Sequence, residues 1–232
     1  MGTYGGPKII SDGLTLFLDA ANHKSYPGTG TVWNDLSGGG NTATLTNGPT
    51  FVSGLDAQIV FDGSNDVVTI PDYDYGRSGC TVSAWGKWHT DNSNGNIVSK
   101  WQTGAGNNNE FLLSSNDSST SPYYPRFHIF NTDNNKVKAI GTEVMSADTW
   151  YYLVGTFDGT NSRVYLDGSL SATSGASSSA LIKTYTPQVI KIASFDSGYY
   201  NNIDVAMVSI HNRALSSTEI LHNYNATKHR FI

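Results

Sequence analysis

Near the C-terminus His211, Asn212 and Arg213 stand side by side, three groups that can move protons or hold anions. No serine or acid lies at a spacing that would complete a nucleophilic triad with His211, so the three are expected to flank the end of a strand. Glutamate occurs at only three positions, 110, 143 and 219. Hydrolysing a glycosidic bond usually takes two carboxyl groups, one acid and one base or nucleophile. Glu110 is flanked by Asn109 and Phe111, Glu219 falls in a helix cap, and Glu143 and Asp148 stand at loop spacing in TEVMSADTW. This distribution predicts no enzyme. Six scattered histidines without cysteine partners offer no zinc spacing. The one cysteine, Cys80, begins a strand-like run and is expected to be a buried thiol.

The elements that must position such groups are mostly strands. Short apolar or alternating runs recur: LTLFLDA (14–20), QIVF (58–61), VVTI (67–70), TVSAWGKW (81–88), NIVSKW (96–101), EFLLS (110–114), RFHIF (126–130), WYYLVGTF (150–157), RVYL (163–166), VIKIA (189–193) and VAMVSI (205–210). Each is bounded by Gly, Asn, Asp, Ser or Pro, the pattern of an antiparallel sandwich. YLDGSL sets Asp167 and Gly168 between two runs, a strong hairpin signal. A longer hairpin is expected around Asp158 and Gly159. The polar loops 89–96, 103–109 and 114–125 lie where a rigid sandwich usually carries recognition.

Charge and composition narrow the field. The 232 residues suit one domain over 1–232, with residues 1–8 a free or anchoring arm. The net charge is −5, and the cations form no basic patch along the sequence, which argues against nucleic acid. No apolar run is long enough for a membrane span. MGTYGGPKII lacks the basic start and apolar core of a signal peptide.

One helix is signalled. SSTE is a capping box with Ser216 as N-cap and Glu219 at N3, and Leu215 and Ile220 form the matching staple. Ile220, Leu221 and Tyr224 are expected to share its buried face. So short a helix is marginal alone and must dock on the sheet.

The stretch VSIHNRALSSTEILHNYNA resembles the closing strand and helix of LamG-like domains in the concanavalin A-like lectin/glucanase superfamily, with His211 where Tyr is usual. IVFDGSNDVVTI, TVSAWGKW and WYYLVGTFDGTNSRVYLDG are similar to the same family in the same order. Residues 13–51 resemble a narrower group, LamG-bearing structural proteins of tailed phages, especially marine ones. The resemblance implies an all-β, antiparallel β-sandwich of concanavalin A-like jelly-roll type with a short C-terminal helix. It implies a non-enzymatic virion protein, a head decoration or tail-fibre component, located on the virion. Its partners would be capsid or tail proteins, host cell-surface glycans and further copies of itself, without membrane insertion. The alternative is a secreted, extracellular bacterial carbohydrate-binding module or glycosidase-associated domain. The glucanase pattern of Glu, Asp and Glu at alternate positions of one strand is missing.

Two kinds of binding site are expected. Related domains often hold a structural Ca²⁺ near the rim, and by that resemblance Asp62 and Asp66, four apart across a Gly turn, are its ligands together with Asp204. Sugar recognition combines aromatic faces with a few placed polar groups. Tyr123 and Tyr124 between two prolines, Tyr199 and Tyr200 beside Asn201, and Trp101 at a strand end are the glycan-binding candidates. Equally, these rings pack on the sandwich edge or a neighbouring subunit.

Overall fold

The computed structural model describes residues 8–89, 95–102, 109–115, 122–185, 187–196 and 198–232. The expected arm 1–8, apart from Lys8, and the central parts of the three polar loops lie outside the described residues.

Two eight-stranded antiparallel sheets face each other. The first contains β1 (Leu14–Asp19), β4 (Thr50–Val52), β5 (Gln58–Asp62), β7 (Cys80–Trp88), β12 (Trp150–Phe157), β13 (Ser162–Leu166), β14 (Ser169–Thr173) and β16 (Asn202–His211). The second contains β2 (Val32–Trp33), β3 (Ala43–Thr46), β6 (Val67–Ile70), β8 (Asn96–Lys100), β9 (Phe111–Ser114), β10 (Arg126–Phe130), β11 (Lys136–Ile140) and β15 (Ile190–Ile192). Its order is β11-β10-β9-β8-β15-β6-β3-β2. β16 is central to the first sheet: β7 pairs along one side, and β5 then β1 share the other.

Period-two alternation sends Val82, Ala84 and Trp88 of β7 into the core between the sheets, against Phe61, Ile97, Phe127 and Leu153. The opposite face of β7 carries Trp85, which packs with Tyr152, Met207, Leu215 and Ile220 beneath the C-terminal helix. The β13–β14 hairpin turns at Asp167 and Gly168 with φ of 50° and 81°, the left-handed pair that a two-residue turn of this twist requires. At Gly155 in β12 a Cβ would collide with the Phe127 ring, so the missing side chain lets the sheets close there.

Helix α1 (Ser217–Thr227) starts at the expected capping box: the Ser216 hydroxyl accepts from the Glu219 N–H at 3.3 Å, and Glu219 Oε2 accepts from the Ser216 N–H at 2.8 Å. Its buried stripe differs from the expected one. Leu221 is 46% exposed, and Ile220, Asn223, Ala226 and Thr227 are buried, because docking favours positions spaced by three, four and seven. His211 is buried, its Nε2 is 2.9 Å from the Ile10 carbonyl oxygen, and burial holds its pKa below the ordinary value. Arg213 meets Glu219 at 2.6 Å and Asp12 at 2.8 Å. Thr81 of β7 donates to the Arg213 carbonyl and accepts from the Leu215 N–H, both at 2.8 Å. The stretch 209–224 therefore fastens the chain end onto the first sheet.

The hydrogen bonds from Arg213 hold the Glu219 carboxyl at about 2, against an ordinary 4.5. A carboxylate lowered in the folded state supports the fold above its unfolded pKa, and that support disappears as pH falls toward the folded value. Glu219→Gln is expected to cost about 1 kcal/mol at neutral pH. It should also flatten the acid-side loss of stability, which urea titrations across that range would measure.

Candidate functional site

Alternation along β8 decides what faces outward. Ser99 pairs with Lys191 and donates to the Ser194 carbonyl at 2.7 Å on the outer face of the second sheet. Lys100 turns inward, and Trp101 returns to the outside at the strand end. There the Phe130 ring meets Trp101 edge-on at 5.0 Å and the Lys136 ammonium lies 5.1 Å from its centroid. Trp101 is only 9% exposed, so it forms a wall and not an open stacking platform. With Gln102, Pro187, Gln188, Val189, Lys191 and Asp196 it encloses a cleft of ≈ 220 Å³.

Two polar groups in this cleft stand out. Gln188 is 8% exposed, yet neither its amide oxygen nor its amide nitrogen has a hydrogen-bond partner. A buried primary amide normally uses both ends, and leaving one unmet costs about 1–3 kcal/mol. Lys191 is half-buried, and burial holds its pKa below the ordinary range although Asp196 pulls the other way.

Of the expected glycan-binding residues Trp101 lines this cleft, and the loop 194–201 contributes only Asp196 to it. Ser194 bridges Tyr200, and Asn201 donates to the carbonyls of Asn96 and Ala193, both at 3.1 Å. Asn201 is thus a buried pin of the loop and not a ligand-facing group. Tyr199 is 42% exposed and packs on Phe195 at 4.5 Å, whereas Tyr200 is half-buried. Tyr123 is a core residue that bridges Met145, and Tyr124 donates its N–H to Ser115. Ser115 in turn bonds Gly95, at the opposite end of β8 from Trp101, so this tyrosine pair does not join the cleft.

Of the expected Ca²⁺ ligands, Asp62 and Asp66 lie side by side, whereas Asp204 is engaged elsewhere. The Asp62 carboxylate accepts from the Ser64 N–H at 2.8 Å, and Asp66 accepts from the Asp62 N–H at 3.2 Å. Asp204 is committed to Lys87 at 2.8 Å and to His89 at 3.1 Å. Among the described residues no three His, Cys, Asp or Glu side chains are grouped to hold a metal ion. Each loop carboxylate accepts one backbone N–H, which is turn chemistry.

One ionic cluster escaped the sequence reading. Lys100, buried, meets Asp72 at 2.7 Å and Glu110 at 3.1 Å. Glu110 also accepts from the Tyr75 hydroxyl and the Tyr185 N–H, each at 2.7 Å, so both its oxygens are occupied. Burial raises its pKa against the pull of Lys100. Asp72, Lys100 and Tyr75 line a second cleft of ≈ 400 Å³, with Arg77 and Thr184. The sequence signal for this cluster was slight: Lys100 ends the apolar run of β8 and Glu110 immediately precedes β9. Glu143 instead bonds Ser171, and Asp148 bonds His89 at 2.5 Å.

Comparison with solved structures places the fold among lectin-like sandwiches. The binding domain of paraclostridial mosquitocidal protein 1 aligns with a TM-score of 0.67 and 15% identity, over 93% of this chain and 52% of that one. The binding domain of botulinum neurotoxin DC in complex with SialylT gives 0.67 and 15%, over 94% and 52%. Trypanosoma rangeli sialidase in complex with sialic acid gives 0.66 and 18%, over 94% and 34%. The chain thus spans about half, or a third, of these proteins. No curated protein matches it in sequence. The laminin-G family model matches residues 62–221, and with the two-sheet architecture this shows that the chain belongs to the concanavalin A-like lectin/glucanases superfamily.

Proposed function

We propose that this chain is a non-enzymatic glycan-recognition domain that works on the particle of a tailed phage, as a head decoration or tail-fibre component. The observation that carries the recognition part is the Gln188 amide, buried and unpartnered beside the Trp101 wall. An amide presents one donor and one acceptor side by side, which matches the hydroxyl and acetamido groups of a sugar. Two structural neighbours are binding domains, one in complex with SialylT, which supports the same reading. The particle assignment is supported by the resemblance of residues 13–51 to phage structural proteins.

A glycan array followed by calorimetry tests recognition. Gln188→Leu should weaken binding about tenfold or more while leaving the melting temperature unchanged or raised, since it removes an unmet polar group. Unaltered affinity would exclude the cleft. The sialidase neighbours lend weight to a second reading, a binding module associated with a carbohydrate-active enzyme. Stoichiometric presence of the chain in purified particles would exclude that alternative, and its absence from them would exclude the phage role.

A further inference from the structure

Two clefts lie back to back at the end of β8. Lys100 lines the cleft of ≈ 400 Å³, and Trp101, the next residue, lines the Gln188 cleft of ≈ 220 Å³. A second segment repeats the arrangement, with Thr184 in the larger cleft and Pro187 and Gln188 in the smaller. Neighbouring Cα atoms are about 3.8 Å apart and three residues of chain reach about 10 Å at most, so the two clefts share a thin wall. Tyr185 belongs to that wall. Glu110 Oε1 accepts its N–H at 2.7 Å, while Oε2 of the same carboxylate takes the Tyr75 hydroxyl at 2.7 Å and the Lys100 ammonium at 3.1 Å behind the larger cleft. The buried ionic cluster is thus a strut that fixes one cleft against the other. A buried ion pair adds little net stability over an apolar replacement, and holding two surfaces in register is a reason to keep one.

We infer that the ligand is a neutral oligosaccharide laid across both clefts, with one sugar at the Gln188 amide and the adjoining ones at Asp72, Arg77 and Thr184. This rests on the glycan-recognition reading above. The smaller cleft falls short of the roughly 300–1,000 Å³ usual for a small-molecule site, and the two together fall within it. The larger cleft is lined by two cations, Lys100 and Arg77, and two anions, Asp72 and Asp74, so neither sign prevails and no ion is favoured. Charged donors and acceptors of both kinds make strong hydrogen bonds to hydroxyl groups. Several are available. Arg77 is exposed, its Nε reaches the Ile182 carbonyl at 3.4 Å, and its terminal nitrogens meet no acceptor among the described residues. An ammonium has three N–H donors. Asp72 and Glu110 take two from Lys100, and the third has only the Tyr75 ring, centred 5.1 Å away, and the cleft.

Calorimetry on the full chain tests this along neutral series of increasing length, chito-, isomalto- and galacto-oligosaccharides from monosaccharide to hexasaccharide. In at least one series affinity should rise about tenfold or more between monosaccharide and tetrasaccharide, because the second cleft is engaged at high effective concentration. Arg77→Ala and Thr184→Val, both at exposed positions, should remove most of that rise and leave the monosaccharide affinity and the melting temperature unchanged. Gln188→Leu should weaken every member. Affinity independent of length would overturn the extended site and leave the glycan reading standing, and so would a rise that survives both Arg77→Ala and Thr184→Val. A monosaccharide weakened by Arg77→Ala and not by Gln188→Leu would overturn the order of the two clefts and with it this inference. Glycan-array hits confined to acidic sugars would overturn the neutral class alone. Binding of no member, with no hit on the array, would overturn both readings.

Discussion

Lys100→Met is expected to destabilise the fold by about 3–5 kcal/mol at neutral pH, a loss set by the charge it strands. Glu110 is fully buried, and with Lys100 gone its carboxylate would keep only the Tyr75 hydroxyl and the Tyr185 N–H. Asp72 at the cleft would lose its cation as well, but it is partly exposed and water can replace the ammonium. The loss should depend on pH. Burial already raises the Glu110 pKa in the native protein, and removing the lysine raises it further. For an acid whose folded pKa lies above its unfolded value, the unfolded chain releases its proton first. Stability therefore falls as pH rises from the unfolded toward the folded pKa, and the deficit vanishes below both. Urea titrations should show Lys100→Met nearly as stable as the parent in acid and far weaker at neutrality. Adding Glu110→Gln should recover much of the neutral-pH loss, because a neutral amide retains hydrogen bonds to Tyr75 and the Tyr185 N–H. A pH-independent deficit, or no rescue, would show that the cluster acts through packing alone.

The contrast between this cluster and the C-terminal clasp shows what a single sequence can reveal. A capping box, a staple and a two-residue Asp-Gly turn are local, so their partners lie within five residues and their types alone locate them. The long central strands were equally legible through period two. Short edge strands were not: KVKAI of β11 alternates as well, but it buries only Val137 and Ala139, too small an apolar signal to stand out before β10 is paired with it. The Lys100–Glu110–Asp72 network joins three segments whose adjacency depends on strand order, which periodicity does not encode. Tyr123 and Asn201 mark the opposite error. Loop-like flanks suggested exposure, but in the fold one fills the core and the other satisfies two carbonyls. Gln188 carried no signal at all, because an unmet hydrogen bond is a property of surroundings and not of residue type.

Trp85→Ala should cost about 3–5 kcal/mol and uncouple the C-terminal helix from the first sheet. The indole is almost completely buried on the side of the sheet away from the main core. It stacks on Phe231 at 4.3 Å and on Tyr224 at 5.8 Å, and its Nε1 donates to the Thr227 hydroxyl at 2.8 Å. Tyr152 closes the same ring cluster at 5.4 Å. The capping box secures only the first turn of α1; these ring contacts hold its last turn together with the Ile10 N–H on Asn223 and the Arg230 bonds to Asp19 and the Leu55 carbonyl. An eleven-residue helix does not persist in water without such a surface. Truncation would therefore act in two stages, first a cavity under the helix and then fraying of residues 220–232. Limited proteolysis should cut the variant near its C-terminus well before global unfolding, while the parent stays resistant. Trp85→Phe separates the two contributions: it keeps most of the stacking area and loses the Nε1 bond, so a smaller loss of about 1–2 kcal/mol is expected. The main core between the sheets does not touch this ring, so near-ultraviolet signals from Trp33 and Trp88 should survive in Trp85→Ala at temperatures where the helix has already come away. Simultaneous loss of both would mean that the clasp and the sandwich form one cooperative unit, and that the C-terminal segment seals the fold instead of decorating it.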